Sequence, residues 1–180
     1  PADYDGDRRA GTVGFPLPGV ELKVCDETGA DLPQGEIGVI EVRGPNVFAG
    51  YWQMPDKTAE ELRENGFFIT GDLGRIDADG YVHIVGRGKD LIISGGYNIY
   101  PKEIELLIDA LPGVVESAVI GVPHPDFGET VVAVVVAAPD VTAETVLAGV
   151  ADDLARFKQP RHVALVEALP RNTMGKVKKN

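Results

Sequence analysis

Two hydrophobic periods meet near residues 87–90 of this chain, and one kind of element cannot satisfy both. Up to about Gly86 apolar residues alternate with polar ones, the period of a half-buried strand. VELKVCD puts Val20, Leu22 and Val24 on one side; the turn-forming ETGADLPQG follows, and IGVIEV resumes the alternation. GYVHIVG, Gly80 to Gly86, predicts a further short strand behind the Asp79-Gly80 turn. Between them MPDKTAEELREN reads as a helix, begun by Pro55 and stopped at Asn65-Gly66. This half resembles pieces of a β-barrel and has no evident complete core of its own.

Helical spacing enters after Gly88. KDLIIS and YNIY flank Gly95-Gly96, which predicts a hairpin. Pro101 opens a helix with Ile104, Leu107, Ile108 and Leu111 on one face, ended by Pro112-Gly113. VVESAVIGV and ETVVAVVVAA predict two buried strands, and HVALVEAL a last one. Thr142 is placed to cap a helix carrying Val146, Leu147, Val150 and Leu154 on one side. The predicted fold class is α+β: a partial β-barrel segment over residues 1–88, then a compact α+β module over 89–180.

Charge divides along the chain as well. From Arg156 onward seven basic residues face one acidic residue, Glu167, so this tail carries +6 within a chain of net charge -11. An acidic body repels a polyanion, and no nucleic-acid motif is present, so a nucleic-acid partner is not expected. The basic tail reads either as a solvated charge run or as a device for an anion. No apolar run approaches the roughly 20 residues of a membrane span, and PADYDGDRRAG lacks the apolar segment of a signal peptide. The single cysteine, Cys25, rules out an internal disulfide and suits a reducing compartment, so a cytoplasmic setting is expected. The chain does not open on Met, which suggests a processed product or fragment.

Several familiar sites are excluded. A phosphate-binding G-x-x-x-x-G-K-[ST] loop fails at Gly88-Lys89, with His83 five residues before the glycine, and at Gly175-Lys176, with Pro170 there. His83, His124 and His162 have no metal-ligand spacing, and His83 alternates with apolar neighbours in a strand, a structural setting. Four segments remain. FFITGDLGRI places Thr70-Gly71-Asp72 at a turn, where Asp72 serves a ribose or closes an Asx turn. Arg87 sits between Gly86 and Gly88 at the change of pattern, with Lys89 as the pivot of a swivel. Gly95-Gly96 admits close approach of a ligand, or is a plain hairpin turn. In LARFKQPRH, Phe157 with Lys158 and Arg161 suits an adenine and phosphates, or a helix C-terminus that favours cations. In LPRNTMGKVKKN, Lys176 on its flexible stem can bring positive charge to a phosphate or carboxylate.

TGDLG, GRGKDLIISGGYNIYPKEIE and LPRNTMGKV, in this order and with these gaps, resemble the C-terminal portion of adenylate-forming enzymes. That superfamily holds acyl-CoA synthetases, peptide-synthetase adenylation domains and firefly luciferase. ISGGYNIYPKEIE resembles the acyl-CoA synthetases more than the peptide-synthetase domains. RRAGTVGFPLPGV, RGPNVFAGYWQMPDKT and LPRNTMGKVKKN look closest to the malonyl-CoA synthetases. The resemblance implies that residues 1–88 end a large adenylation domain and that 89–180 form a small mobile domain hinged at Lys89. It implies ATP, a carboxylic acid and CoA as substrates, with Mg2+ held by a residue upstream of Pro1, as are the phosphate loop and acyl pocket. The isolated chain is then expected to form no adenylate. By position, Asp72 and Arg87 would bind the ribose of ATP, and Lys176 would bridge the α-phosphate and the substrate carboxylate. Gly95 and Gly96 would line the pantetheine tunnel, Phe127 would lie beside the CoA arm, and Phe157 would stack on the CoA adenine. Lys158 and Arg161 would sit near its phosphates, whereas Gln159 departs from members with a basic residue there. The alternative is an adenylation unit that loads a carrier-protein thiol or oxidises its adenylate.

Overall fold

The alternating segments of the first eighty-eight residues pair as one antiparallel sheet. Its strands are β1 (Glu21–Cys25), β2 (Gly38–Arg43), β3 (Phe68–Ile76) and β4 (Val82–Arg87), in that order. The computed structural model describes residues 9–179, and the chain divides into two compact units, Pro1–Gly88 and Lys89–Asn180. Most of the N-terminal stretch read as lacking a signal segment, residues 1–8, and Asn180 lie outside the described residues. Val24, Ile40 and Val82 form the core of one sheet face, packed by Leu22, Val42 and Ile76. The sheet is open rather than a closed barrel among the described residues, and Gly14 bridges Val82 along the outer edge of β4.

The opposite face of this sheet buries charge. Lys23 stands directly across from Glu41 in the β1–β2 register, and Glu41 is fully buried. Arg63 pairs with one carboxylate oxygen of Glu41; Lys23 Nζ lies 3.4 Å from the other. Burial works to raise the pKa of Glu41, but the hydrogen bond from Arg63, with Cys25 and Lys23, holds it below the ordinary value.

Two expectations change here. Helix α1, Pro55–Glu61, stops short of Asn65 because Leu62 turns extended (φ -115°, ψ 110°) and bridges Phe68. Sheet pairing at Leu62 overrides the local helical pattern. Thr70-Gly71-Asp72 is likewise no turn between strands; it lies inside β3. Residues 69 and 73 of β3 oppose 41 and 39 of β2, so β3 carries extra residues and bulges at Thr70–Asp72. Gly71 supplies the left-handed φ of 74° that the bulge needs.

In the second unit β5 (Ile92–Ser94) and β6 (Tyr97–Ile99) form the predicted hairpin. Gly95 and Gly96 both have positive φ, 57° and 83°, as a tight two-residue turn requires. The long pair β7 (Val114–His124) and β8 (Gly128–Ala137) is antiparallel, and β9 (His162–Leu165) runs parallel along β8 over Val132–Val135. The sheet order is β6-β5-β8-β7, with β9 also on β8. Helices α2 (Pro101–Asp109) and α3 (Ala143–Ala151) contribute Ile104, Ile108, Val146 and Val150 to a core with Val119, Val131, Ala133 and Val135. The alternation Val131, Ala133, Val135 shows that β8 buries one face against the helices, while Val132, Val134 and Val136 are only half-buried. Thr142 caps α3 as predicted, in a reciprocal pair with Thr145.

Candidate functional site

In the first unit the bulge in β3 sets Asp72 opposite Arg87 of β4. Asp72 Oδ1 lies 3.0 Å from Arg87 Nε, and Arg87 also donates to the Thr70 carbonyl at 3.0 Å. Thr70 Oγ1 accepts from the Asp72 backbone N–H and donates to the Ile40 carbonyl, which pins the bulge from both sides. The second carboxylate oxygen of Asp72 has no partner among the described residues and is free to accept hydroxyl hydrogen bonds. The carboxylate and guanidinium expected at one ribose are therefore already a pair.

In the second unit the tail is a built turn. Asn172 Oδ1 accepts the N–H groups of Met174 and Lys176, and Gly175 N donates to the Asn172 carbonyl. Gly175 takes φ 76°, and Arg171 bridges Val177 across the turn. Arg171 pairs with Glu116 of β7 and donates to the Gly175 carbonyl at 2.8 Å; Lys179 pairs with Glu105 of α2. Lys176 itself is exposed, and its ammonium has no hydrogen-bond or ion-pair partner among the described residues.

A separate cleft of about 170 Å³ in this unit gathers Gly95, Phe127, Phe157 and Arg161 with Ser94 and Tyr97. Phe157 is not at a helix C-terminus, since α3 has ended at Ala151 and turns follow. Its ring stacks on Tyr97 (centroids 4.5 Å, 25° apart), a residue the sequence reading missed because only the hairpin brings it there. Arg161 lies 4.4 Å over the Phe127 ring. Two of the expected residues stand apart. Lys158 Nζ is held at 2.8 Å by both oxygens of Glu103, so its charge is already compensated. Gly96 closes the turn and does not line the cleft. Gln159 donates to the Ala151 and Leu154 carbonyls and so caps the end of α3.

Lys89 occupies a single 3-10 turn, Gly88–Asp90. His83, read as structural, is 2.8 Å from Asp77. Among the described residues there is no group of three or more His, Cys, Asp or Glu that could hold a metal. No helix among them is long and apolar enough to cross a membrane.

Residues 103–176 match the AMP-binding enzyme C-terminal domain, and residues 2–52 match the AMP-binding enzyme family. The chain superposes on the crystal structure of ATP-bound MatB from Rhodopseudomonas palustris with a TM-score of 0.91 and 64% identity, over 98% of this chain and 36% of that one. It is 44% identical to a feruloyl-CoA synthase of Amycolatopsis sp, over 95% of this chain and 35% of the relative. It is 39% identical to a long-chain-fatty-acid–CoA ligase of Escherichia coli O6:H1, over 97% of this chain and 31% of the relative. The chain thus spans about a third of the length of the curated relatives it matches.

Proposed function

The chain belongs to the AMP-binding, adenylate-forming enzymes, matching their C-terminal region, and from this premise we propose that the complete protein is an AMP-forming acid–thiol ligase. A carboxylate oxygen attacks the α-phosphorus of ATP, and pyrophosphate leaves, giving an acyl-adenylate. The sulfur of CoA then attacks the acyl carbonyl, and AMP leaves with the bonding electrons while the thiol proton passes to solvent. Malonate is the acid we favour, on the likeness of three segments to malonyl-CoA synthetases and the 64% identity to MatB.

The observation that carries this reading is the state of Lys176. Its neighbours Arg171 and Lys179 are paired with Glu116 and Glu105, while the Lys176 ammonium, like that of Lys178, has no such partner among the described residues, and the Lys176 backbone N–H is held within the turn by Asn172. A preorganised, uncompensated cation suits charge that develops on a phosphate oxygen and an attacking carboxylate. Asp72 and Arg87 would hold the ribose hydroxyls, the free oxygen of Asp72 accepting from one of them. The aromatic cleft with Phe157, Phe127 and Arg161 suits a nucleotide-ended thiol such as CoA, with Gly95 beside it; Lys158 would reach a phosphate only by leaving Glu103. Lys89 would be the pivot that presents the two sites in turn.

A Lys176→Ala change in the complete enzyme, with malonate as the acid, tests this. ATP–pyrophosphate exchange should fall by about 10²–10³-fold, the scale of one lost electrostatic stabiliser. Thioester formation from supplied malonyl-adenylate and CoA should stay near wild type. Equal loss of both half-reactions would take Lys176 out of this role. The alternative, delivery of the adenylate to a carrier-protein thiol or to oxygen, predicts no turnover with CoA alone; the likeness to CoA ligases weighs against it.

A further inference from the structure

The turn that carries Lys176 is fastened on both sides, and the two fastenings differ. Before it, the Arg171–Glu116 pair is at the surface, with side chains 45% and 30% exposed, the kind of pair that contributes little. After it, Lys179 is paired with Glu105, whose side chain is 7% exposed. Glu105 Oε1 also accepts the Val119 backbone N–H at 2.9 Å, so one carboxylate joins α2, β7 and the tail.

A neutral glutamine would satisfy the Val119 N–H equally well. Burying a carboxylate is costly unless a cation compensates it, so a carboxylate at position 105 calls for a cationic partner. Lys102, one turn earlier on α2, is 3.9 Å from Oε2 and half-exposed, a weak partner on the same helix. The close cation is Lys179. Three residues span at most about 10 Å of chain, so anchoring Lys179 confines the backbone of Lys176 to that reach. The Lys178 N–H bond to the Pro170 carbonyl then closes the base of the turn.

We propose that Glu105 is a positioning residue: acting through Lys179, it ties the carboxy-terminal turn to the α2–β7 core and so sets where the Lys176 ammonium is presented. The inference rests on the adenylation role given to Lys176 above, and the experiment separates the two. In the complete enzyme Lys179→Gln, Lys179→Arg, Glu105→Gln and Lys176→Ala are compared in ATP–pyrophosphate exchange and in thioester formation from supplied malonyl-adenylate. Lys179→Gln leaves the Glu105 carboxylate without its close cation, so thermal unfolding of each variant is measured alongside. The double variant Glu105→Gln/Lys179→Gln, which buries no uncompensated charge, should show the same exchange defect as Lys179→Gln. The kcat of Lys179→Gln for exchange should fall about 10- to 100-fold, the scale of a displaced catalytic group. Its KM for ATP should stay within about twofold, because the Lys176 contact strengthens chiefly as charge develops in the transition state, and so should the thioester step, in which Lys176 takes no part. Lys179→Arg, which keeps the charge, should recover most of the rate, and Glu105→Gln should match Lys179→Gln. Wild-type exchange in Lys179→Gln beside a crippled Lys176→Ala overturns the positioning role and leaves the adenylation reading standing. Full exchange in Lys176→Ala overturns both. Parallel loss of both half-reactions in Lys179→Gln, or no recovery with arginine, makes the ion pair merely structural and ends the proposal.

Discussion

Cys25 shows what burial does to one residue. Its side chain is fully buried beneath the β1–β2 turn, and burial first, then the hydrogen bond and negative charge of Glu41, push its pKa up to about 11. The thiolate is the reactive form, so the native thiol should resist alkylation at pH 8 and react quickly only after denaturation. The native alkylation rate should also keep climbing to about pH 11 instead of levelling near the ordinary thiol range. Rapid labelling of the folded chain by iodoacetamide at pH 8 would contradict this. Asp72 is the opposite case, a partly exposed carboxylate with one oxygen taken by Arg87 and the other without a partner among the described residues.

Single elements are set by which charges their turns collect. The loop between β3 and β4 hangs on Asp77, whose carboxylate accepts the Asp79 and Tyr81 N–H groups and meets both His83 and Arg9. The His83 hydrogen bond above all, with those backbone donors and the Arg9 charge, holds the Asp77 pKa down to about 2. A carboxylate depressed in the folded state contributes stability that is complete above its unfolded pKa, about 3.9. That contribution is lost as pH falls toward 2. Denaturant midpoints measured from pH 6 to pH 2 should therefore drop for the wild type below about pH 4. Asp77→Asn should start lower at pH 6 and show a shallower acid drop; an identical acid profile would rule out this origin. Elsewhere in the same sheet Gly74 is required by close approach, since a Cβ there would sit 2.4 Å from the His83 carbonyl oxygen.

At the scale of the whole molecule the proposed function asks one Lys176 and one aromatic cleft to serve two successive steps. The proposed answer is rotation about Lys89, which sits in one 3-10 turn rather than in a long helix or paired strand. Proline at this position would lock φ near -65°, a value that a 3-10 turn tolerates. Lys89→Pro in the complete enzyme should leave one half-reaction within about twofold and slow the other by more than tenfold, a barrier change of at least about 1.4 kcal/mol. Unchanged rates for both steps would remove Lys89 as the pivot. Inhibition of both steps alike would point to a folding defect instead.

The sequence by itself determined much of the local structure, the end of α1 and the Thr70–Asp72 bulge excepted. Alternation predicts β1, β2 and β4; the paired glycines predict the β5–β6 turn; Pro101 and Thr142 mark where α2 and α3 begin. Each depends on residues only a few positions apart, whose sterics and hydrogen bonds act before any long contact forms. Three motifs at their spacing also pointed to the family that the comparisons find. Only the tertiary structure decided where charge is buried and which cations stay free. Glu105 sits on a helix face whose period reads as ordinary, and it is buried because β7 and the tail close over it. Glu41 pairs with Arg63, Lys158 with Glu103 and Arg171 with Glu116, across 22, 55 and 55 positions. The bulge at Thr70–Asp72 exists only against the partner strand β2, and β4 then brings Arg87 opposite Asp72. Periodicity reports which face a residue occupies; the electrostatics of a site depend on what folding brings against that face.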